Sequence, residues 1–383
     1  MKWQGSLKET YDKYLNPKIL DYTDNSMWDN VTEIPSLFQF DTAVGSQAVK
    51  LTSPKTVIDL STANSLMRLM GDGGETPLNQ YVRYKEDINV WYSDMTEYGL
   101  NQEEQNVLKE YLSSSYGLAE SQEKLMLLSM DKRIAGFNLK QSNSLRKSIA
   151  KKKPKLLLET EELFYKKGKE LGVREIFLKY VWEEVFAKSK GYGFSSIHSI
   201  GYSLIALQQM NLYCKYPSIL WNTACLIVDS CGDVDNEENK SQDYGKTAIA
   251  IDNLAKNGVK VLPPDINKSE FEFTPDLEMK SVFYGLKGVT GLNDEYTTLL
   301  LQKRAEKPFE SLQDFLERVP SVKKQVVNII KSGMFDNLYP NNTREDIMRM
   351  YFDWEIRKNG FGRKSLNLGD IEKAMELGVF TKQ

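Results

Sequence analysis

The sequence predicts a mainly α-helical fold with a few short strands, an α+β class. Between about residue 101 and residue 230, apolar side chains recur at the three- and four-residue spacing of helices. Two short segments, 259–264 and 280–284, combine apolar and β-branched residues as strands do. Glycine-rich breaks at 71–74 and 191–193 divide the helical stretches.

The first elements differ in how clearly they are marked. Residues 1–60 are mixed, and the apolar stretch 34–41 fits either a strand or a turn that leads into a helix. A helical pattern then runs from Asn101 to about residue 136. Glu104 follows Asn101 by three residues, so the pair has the spacing of a capping box that begins this helix.

Later elements follow in order along the chain. Pro154 predicts the start of a helix, because proline is favoured in the first turn. Apolar periodicity predicts further helices over 174–188, 199–213 and 247–258. The polar segment 229–244 predicts a loop, and short helices follow the second strand.

Composition excludes several classes of protein. The 383 residues are 41% hydrophobic and 27% charged, as in ordinary globular proteins, and the length suggests more than one core. No run of 18 apolar residues predicts a membrane span, and residues 1–5 do not resemble a secretory signal. Three cysteines without a C-x-x-C pair argue against zinc and for a reducing cytoplasm. The single histidine excludes sites that need two.

The net charge of −3 hides one strongly basic segment. Residues 139–155 contain seven basic side chains and no acidic one. These are Lys140, Arg146, Lys147, Lys151, Lys152, Lys153 and Lys155. A solvated helix face is the simpler interpretation of such a run. However, the segment lacks the acidic partners of a surface helix and ends in three consecutive lysines, which favours a triphosphate or a nucleic-acid backbone as ligand.

Two glycine-containing segments suggest close approach of a ligand. Between residues 191 and 204, glycines and serines permit a tight bend around His198. Taken alone, that histidine and the neighbouring Tyr192 are more typical of packed or capping groups. In the second segment, Leu286-Lys287-Gly288-Val289-Thr290-Gly291 has the pattern of a helix-hairpin-helix, whose backbone N–H groups meet a DNA phosphate, although glycines also end ordinary helices.

Asp233 and Asp235 have the D-x-D spacing of carboxylates that hold magnesium. Their neighbours are polar, and no strand is predicted that would hold the two carboxylates rigidly. Glu238 stands where a calcium loop needs glycine. The segment is therefore predicted to be a solvated loop and not a metal site.

Seven segments between residues 34 and 340 together resemble one protein family. They are Phe38-Gln39-Phe40-Asp41, Tyr116-Gly117 with Gln122-Glu123, Ala135-Gly136-Phe137 with Leu145-Arg146-Lys147 and Lys151-Lys152-Lys153-Pro154, Tyr192-Gly193-Phe194 with His198, Val261-Leu262-Pro263-Pro264-Asp265-Ile266-Asn267, Gly285-Leu286-Lys287-Gly288-Val289, and Ser332-Gly333 with Phe335-Asp336. In this order they resemble the fingers and helix-hairpin-helix part of family C bacterial replicative DNA polymerases, the alpha subunit of DNA polymerase III.

The resemblance implies fingers subdomains followed by a helix-hairpin-helix. It divides the chain into a palm-proximal and first fingers segment (1–110), a fingers core with a basic nucleotide- and DNA-facing surface (111–230), a polar loop with a small α/β segment (231–275), a helix-hairpin-helix region (276–340) and a helical tail (341–383).

The resemblance also assigns binding residues. Those implied to bind the nucleotide are Arg146, Lys147, Lys151, Lys152, Lys153, Tyr192, Gly193 and His198. Those implied to bind DNA are Arg68, Lys287, Gly288 and Gly291.

Three departures from the family pattern stand out. Arg68 is not followed by the family's R-P-G-P, and Ser196 replaces a family lysine that provides a phosphate or template contact. The catalytic aspartates of the family lie in a palm domain upstream of the F-Q segment. None of residues 1–37 reproduces the palm motifs, so no catalytic or metal-binding residue is expected in this chain.

The leading hypothesis is a split, phage-type DNA polymerase. This chain binds the incoming dNTP and the DNA template-primer, and a palm-containing polymerase subunit holds Mg²⁺, so the chain alone is inactive. No membrane is involved. The alternative is a non-catalytic, polymerase-derived protein that binds DNA or other replisome components. A truncated piece of a longer enzyme would use the same chemistry as the leading hypothesis.

Overall fold

The computed structural model describes residues 25–69, 75–150, 154–189, 195–230 and 244–359, and the positions 372, 375 and 376. The described residues up to Lys215 form one compact unit, and those from Tyr216 form a second. The predicted class is confirmed, because helices dominate both units and three short strands form a small sheet. No helix in the described ranges is long and apolar enough to cross a lipid bilayer.

Most helices of the first unit begin at a polar N-cap residue. They are α1 (Ser26–Asp29), α2 (Ala43–Thr52), α3 (Val57–Leu66), α4 (Pro77–Glu86), α5 (Ile88–Tyr98), α6 (Gln102–Leu112) with a 3₁₀ turn (Ser113–Ser115), α7 (Gln122–Met130), α8 (Leu139–Ala150), α9 (Pro154–Glu170), α10 (Glu175–Tyr180) continued by a π turn (Val181–Phe186) and a 3₁₀ turn (Ala187–Ser189), and α11 (Ser196–Lys215). Thr42, Thr56 and Thr76 each accept a hydrogen bond from the backbone N–H three residues later, which starts α2, α3 and α4. The stretch 34–41 is a series of turns leading into α2, the second of its two predicted alternatives.

The capping box of Asn101 and Glu104 is confirmed, with both reciprocal hydrogen bonds present. The helical stretch that follows is interrupted, because Tyr116 and Gly117 have positive φ values of 48° and 83° and separate α6 from α7. A Cβ atom on Gly117 would lie 2.8 Å from the ring of Trp91. Glycine is therefore needed there for both backbone conformation and space.

The aromatic core of the first unit lies against the helix predicted over 174–188. This helix is present, but its turn widens into the π form after α10. Trp182 and Phe186, both in the π turn, have ring centroids 5.3 and 5.5 Å from that of Phe164. Phe137, from the predicted Ala-Gly-Phe segment, contacts the same ring at 6.1 Å. The segment thus contributes to packing.

The second unit surrounds a three-stranded sheet. Its elements are α12 (Ser218–Ser230), α13 (Tyr244–Lys256), β1 (Lys260–Leu262), β2 (Thr274–Asp276), β3 (Ser281–Phe283), a 3₁₀ turn (Leu286–Gly288), α14 (Asp294–Glu306), α15 (Leu312–Arg318), α16 (Lys323–Ser332) and α17 (Arg344–Asn359). The order is β1-β3-β2, with β1 parallel and β2 antiparallel to β3. Both predicted strands are confirmed. A third strand, β2, is not predicted by the sequence pattern, because it is a three-residue edge strand that contains Pro275.

A buried polar cluster explains the segment Val261–Asn267. Asp265 is only 5% exposed, and its Oδ1 accepts the backbone N–H groups of Asn267 at 2.7 Å and Lys268 at 2.8 Å. Its Oδ2 accepts the side-chain amide of Asn337 at 2.7 Å. Asn267 in turn exchanges two hydrogen bonds with the backbone of Phe309, each at 2.8 Å. These two residues therefore connect the strand segment to the helices that follow.

Replacing Asp265 with alanine should destabilise the second unit by about 2 to 3 kcal/mol, because buried donors lose their acceptor. Urea-dependent hydrogen exchange of peptides within residues 260–340 measures this. Asp252→Ala is the control, since the Asp252–Lys256 ion pair is about two-thirds exposed and should change stability by less than about 0.5 kcal/mol. Equal effects of the two substitutions would contradict the structural role of Asp265.

Candidate functional site

The basic helix α8 places Arg146 against two neutral amides. Arg146 is half-buried, between the buried Leu145 and the exposed Lys147. Its Nε donates to Asn143 Oδ1 at 3.0 Å, and its Nη1 donates to Gln122 Oε1 at 2.6 Å. Because both acceptors are uncharged, they orient the guanidinium without cancelling its positive charge.

Three other arginines of the first unit have acidic partners. Arg83, Arg133 and Arg174 each lie 3.0 Å or less from at least one carboxylate oxygen. Such a carboxylate cancels much of the field of an arginine. Arg146 is therefore better suited than these three to bind an anionic ligand, and exposed Lys147 adds a second positive charge beside it.

Several predicted site residues lie outside the described residues. These are Lys151, Lys152, Lys153, Tyr192 and Gly193, and also the Asp233–Asp235 segment. Their proposed roles stay predictions.

Glu123, the residue after Gln122, binds the start of α11. Its Oε1 accepts the Ser195 hydroxyl at 2.8 Å. Its Oε2 accepts the backbone N–H and the hydroxyl of Ser196, at 2.8 and 3.0 Å. The carboxylate thus caps the helix that carries His198 and occupies the position where an anion would otherwise meet this helix N-terminus.

The hydrogen bonds also favour the ionised form of Glu123. Partial burial raises its pKa, but the bonds from Ser196 and Ser195 outweigh this effect, and the pKa lies below its ordinary value. The carboxylate therefore stabilises the fold at neutral pH, and this contribution is lost as the pH falls through the lowered pKa.

The sequence does not predict these contacts of Gln122 and Glu123. Both residues belong to the Y-G-x-x-x-x-Q-E pattern, which by itself indicates no function for either side chain. The available signal was their position in the first turn of α7, directly after the N-cap residue Ser121. There, two adjacent polar side chains point toward different neighbours.

His198 lies on an aromatic row that joins two predicted segments. The His198 side chain is exposed, and its ring centroid is 4.0 Å from that of Tyr202. Tyr202 packs against Phe38 at 5.1 Å, and the Phe38 N–H donates to Gln209 Oε1 at 2.8 Å. The Phe38-Gln39 segment thus packs against α11.

Arg68 lies beside the same segment. Its Nη2 donates to Gln39 Oε1 at 2.8 Å. Both residues line an open cleft of about 490 Å³ together with Phe38, Asp41, Thr42, Val44 and Met67. Arg68, which is predicted to bind DNA, therefore lines an open cleft. Asp41 in the same lining contributes negative charge.

The predicted hairpin in the second unit has a tight backbone. Gly288 is buried in a 3₁₀ turn, and Gly291 is exposed with φ of 90°. The side-chain amide of Asn328 donates to the Thr290 carbonyl at 2.6 Å, which ties the hairpin to α16. A Cβ on Gly291 would lie 2.6 Å from that amide.

The hairpin presents less positive charge than its predicted DNA-binding role would suggest. Lys287 pairs with Glu272 at 2.5 Å, so its charge is largely compensated. The following helix α14 begins with the exposed acids Asp294 and Glu295, which disfavour a phosphate at its N-terminus. The DNA contact of Lys287 stays a prediction. Binding of a phosphate at this hairpin needs a second source of positive charge.

Helix α16 provides that charge. Lys324, Asn328 and Lys331 are spaced four and three residues apart and therefore share one face, which we call the α16 basic stripe. Both lysines are exposed. Asn328 and Lys331 line an open cavity of about 430 Å³ with Gly288 and Thr290 of the hairpin. The stripe and the hairpin together form a surface suited to a phosphate backbone.

Metal binding has no candidate among the residues that the structure describes. No three His, Cys, Asp or Glu side chains gather there as possible ligands.

Comparison with known families identifies two regions. Residues 2–172 match the bacterial DNA polymerase III alpha subunit finger domain, and residues 258–345 match the helix-hairpin-helix motif. The predicted family resemblance is confirmed.

Full-length relatives extend the similarity. The chain is 45% identical over 363 residues to a probable DNA polymerase, YorL, of Bacillus subtilis and to a DNA-directed DNA polymerase of Bacillus phage SPbeta. In each case 92% of this chain and 27% of the relative are covered. It is also 30% identical over 314 residues to the DNA polymerase III subunit alpha of Borreliella burgdorferi, covering 80% of this chain and 24% of that protein. The chain thus spans about a quarter of the length of these relatives.

Proposed function

We propose that this chain, which carries the finger domain of the bacterial DNA polymerase III alpha subunit and a helix-hairpin-helix motif, is the dNTP- and template-primer-binding part of a DNA-directed DNA polymerase. The observation that carries the proposal is the environment of Arg146. Its guanidinium is oriented by the neutral amides of Asn143 and Gln122, beside exposed Lys147.

The triphosphate of the incoming nucleotide carries several negative charges, and these need stabilisation by cations during nucleotidyl transfer. Polymerase chemistry depends on cationic stabilisation of these phosphates and on their orientation. Arg146 and Lys147 supply the charges, and Lys151, Lys152 and Lys153 follow on the same segment. On the capped helix α11, the exposed His198 ring packs against the half-buried Tyr202.

DNA binding is assigned to the second unit. Lys331, the anchored amide of Asn328 and the tight backbone at Gly288 and Thr290 line one cavity, and exposed Lys324 lies on the same face of α16. Such contacts recognise phosphates without reading base sequence. We therefore expect this surface to bind template-primer of any sequence.

Catalysis needs Mg²⁺, which would position the attacking and leaving oxygens. The described residues do not fit such a site, since no three of their His, Cys, Asp or Glu side chains gather as possible ligands. We assign the metal to a palm-containing partner, either a separate chain or another part of the same polymerase. Similarity to the enzyme of Bacillus phage SPbeta supports a phage-type polymerase. The proposed role places the chain in the cytoplasm.

Primer extension tests the proposal. The chain should extend a primed template with Mg²⁺ and four dNTPs only when a palm-containing protein of the same genome is added. Activity of the chain alone would contradict our assignment of the metal site. DNA binding without activity in any mixture would favour the alternative, a non-catalytic protein derived from a polymerase.

A further inference from the structure

Two adjacent residues contact both halves of the proposed nucleotide site. Gln122 and Glu123 form the first turn of α7. Gln122 accepts a hydrogen bond from Arg146, which lies 24 residues later, and Glu123 accepts bonds from Ser195 and Ser196, more than 70 residues later. One helix turn thus forms hydrogen bonds with two distant segments.

We propose that Gln122 and Glu123 are a pair of positioning residues for the triphosphate of the incoming nucleotide. Gln122 orients the Arg146 guanidinium, and Glu123 fixes the first turn of α11 in the same frame. This inference rests on the proposed nucleotide-binding function and adds residues for which no role has been assigned.

The neutrality of Gln122 is the first argument. A glutamate at this position would bind Arg146 more strongly, because charge-assisted hydrogen bonds are stronger than neutral ones. Arg83, Arg133 and Arg174 show that carboxylates serve this purpose elsewhere in the unit. Glutamine orients the guanidinium at 2.6 Å and leaves its charge for a ligand.

The second argument is the choice of a carboxylate at Glu123. Negative charge close to a phosphate site weakens anion binding, so such a residue needs a compensating role. Glu123 directs three hydrogen bonds at Ser195 and Ser196. It therefore fills the helix terminus and directs the triphosphate toward Arg146 and Lys147.

Gln122→Glu is the first test. We expect the full chain to bind dGTP with Mg²⁺ about tenfold more weakly, because the new carboxylate cancels the field of Arg146. The melting temperature should stay the same or rise, which a purely structural role of Gln122 would not combine with weaker binding. Gln102→Glu is the matched control, since Gln102 is an exposed helical glutamine bonded to Asn106, and it should leave dGTP affinity unchanged.

Glu123→Ala is the second test. Removal of a negative charge would by itself strengthen anion binding. We expect instead about fivefold weaker binding of dGTP, because loss of a helix cap loosens the first turn of α11. Hydrogen exchange of the amides at 196–199 should become faster in parallel.

The outcomes separate this inference from the proposed function. Unchanged dGTP affinity of Gln122→Glu, with binding lost on removal of Arg146 and Lys147, would overturn the positioning pair and leave the function intact. Tighter dGTP binding by Glu123→Ala would overturn the role of Glu123. If the unmodified chain bound no dGTP, its nucleotide-binding function and the positioning pair would both be wrong.

Discussion

Replacing both Arg146 and Lys147 with alanine should lower the affinity of the chain for a deoxynucleoside triphosphate about a hundredfold. Hydrogen bonds to charged groups contribute roughly 1.5 to 3 kcal/mol each, and every 1.4 kcal/mol is a factor of ten. The effect on folding should be small, because Arg146 bonds only neutral amides among its described partners and Lys147 is exposed. Isothermal titration with dGTP and Mg²⁺ measures the affinity.

The matched control is Lys169→Ala with Lys179→Ala. It removes two positive charges from the same unit, but these lysines lie 3.2 and 3.9 Å from the carboxylates of Glu175 and Glu183. We expect less than about a twofold change in dGTP affinity from it, because such exposed charges act weakly through water. A similar loss in both double variants would mean that overall charge, and not the α8 site, governs binding.

The second large effect is expected for DNA. Lys324→Ala with Lys331→Ala should weaken binding of a duplex template-primer about tenfold at low salt. It should also reduce the slope of log affinity against log salt by about 1.8, since each phosphate contact contributes about 0.9. The loss should be the same for unrelated sequences, because phosphate contacts carry no base information. Fluorescence anisotropy at several salt concentrations gives both quantities.

Two single variants sharpen this experiment. Lys287→Ala should lower DNA affinity less than either stripe lysine, because Glu272 already compensates its charge at 2.5 Å. Lys307→Ala, which removes an exposed lysine paired with Glu310, should have no measurable effect. If the slope of log affinity against log salt were unchanged after loss of both stripe lysines, α16 would be excluded from the DNA interface. A larger effect of Lys287→Ala than of either stripe lysine would instead assign the phosphate contact to Lys287 of the hairpin.

The sequence by itself was sufficient for the family, the class and most elements. Capping at Asn101, the helix start at Pro154 and the strands near 260 and 282 are confirmed, because caps, proline and side-chain periodicity act over a few residues. The absence of acidic residues from 139–155 likewise identifies the basic segment without knowledge of its contacts. Such local signals depend only on neighbours in the chain.

The sequence could not define the partners within the site. The Gln122–Arg146 bond spans 24 residues, the bond from Asn328 to Thr290 spans 38, and the Glu123–Ser196 bonds span 73. Side-chain periodicity tells which face of a helix is buried, but it does not tell which other helix covers that face.

Tertiary structure alone therefore decided three points. It paired Lys287 with Glu272, placed Lys331 beside the hairpin, and left Arg146 with neutral acceptors. The physical reason is that the field of a charged side chain depends on the few groups within about 4 to 6 Å of it. Packing brings those groups from distant parts of the chain.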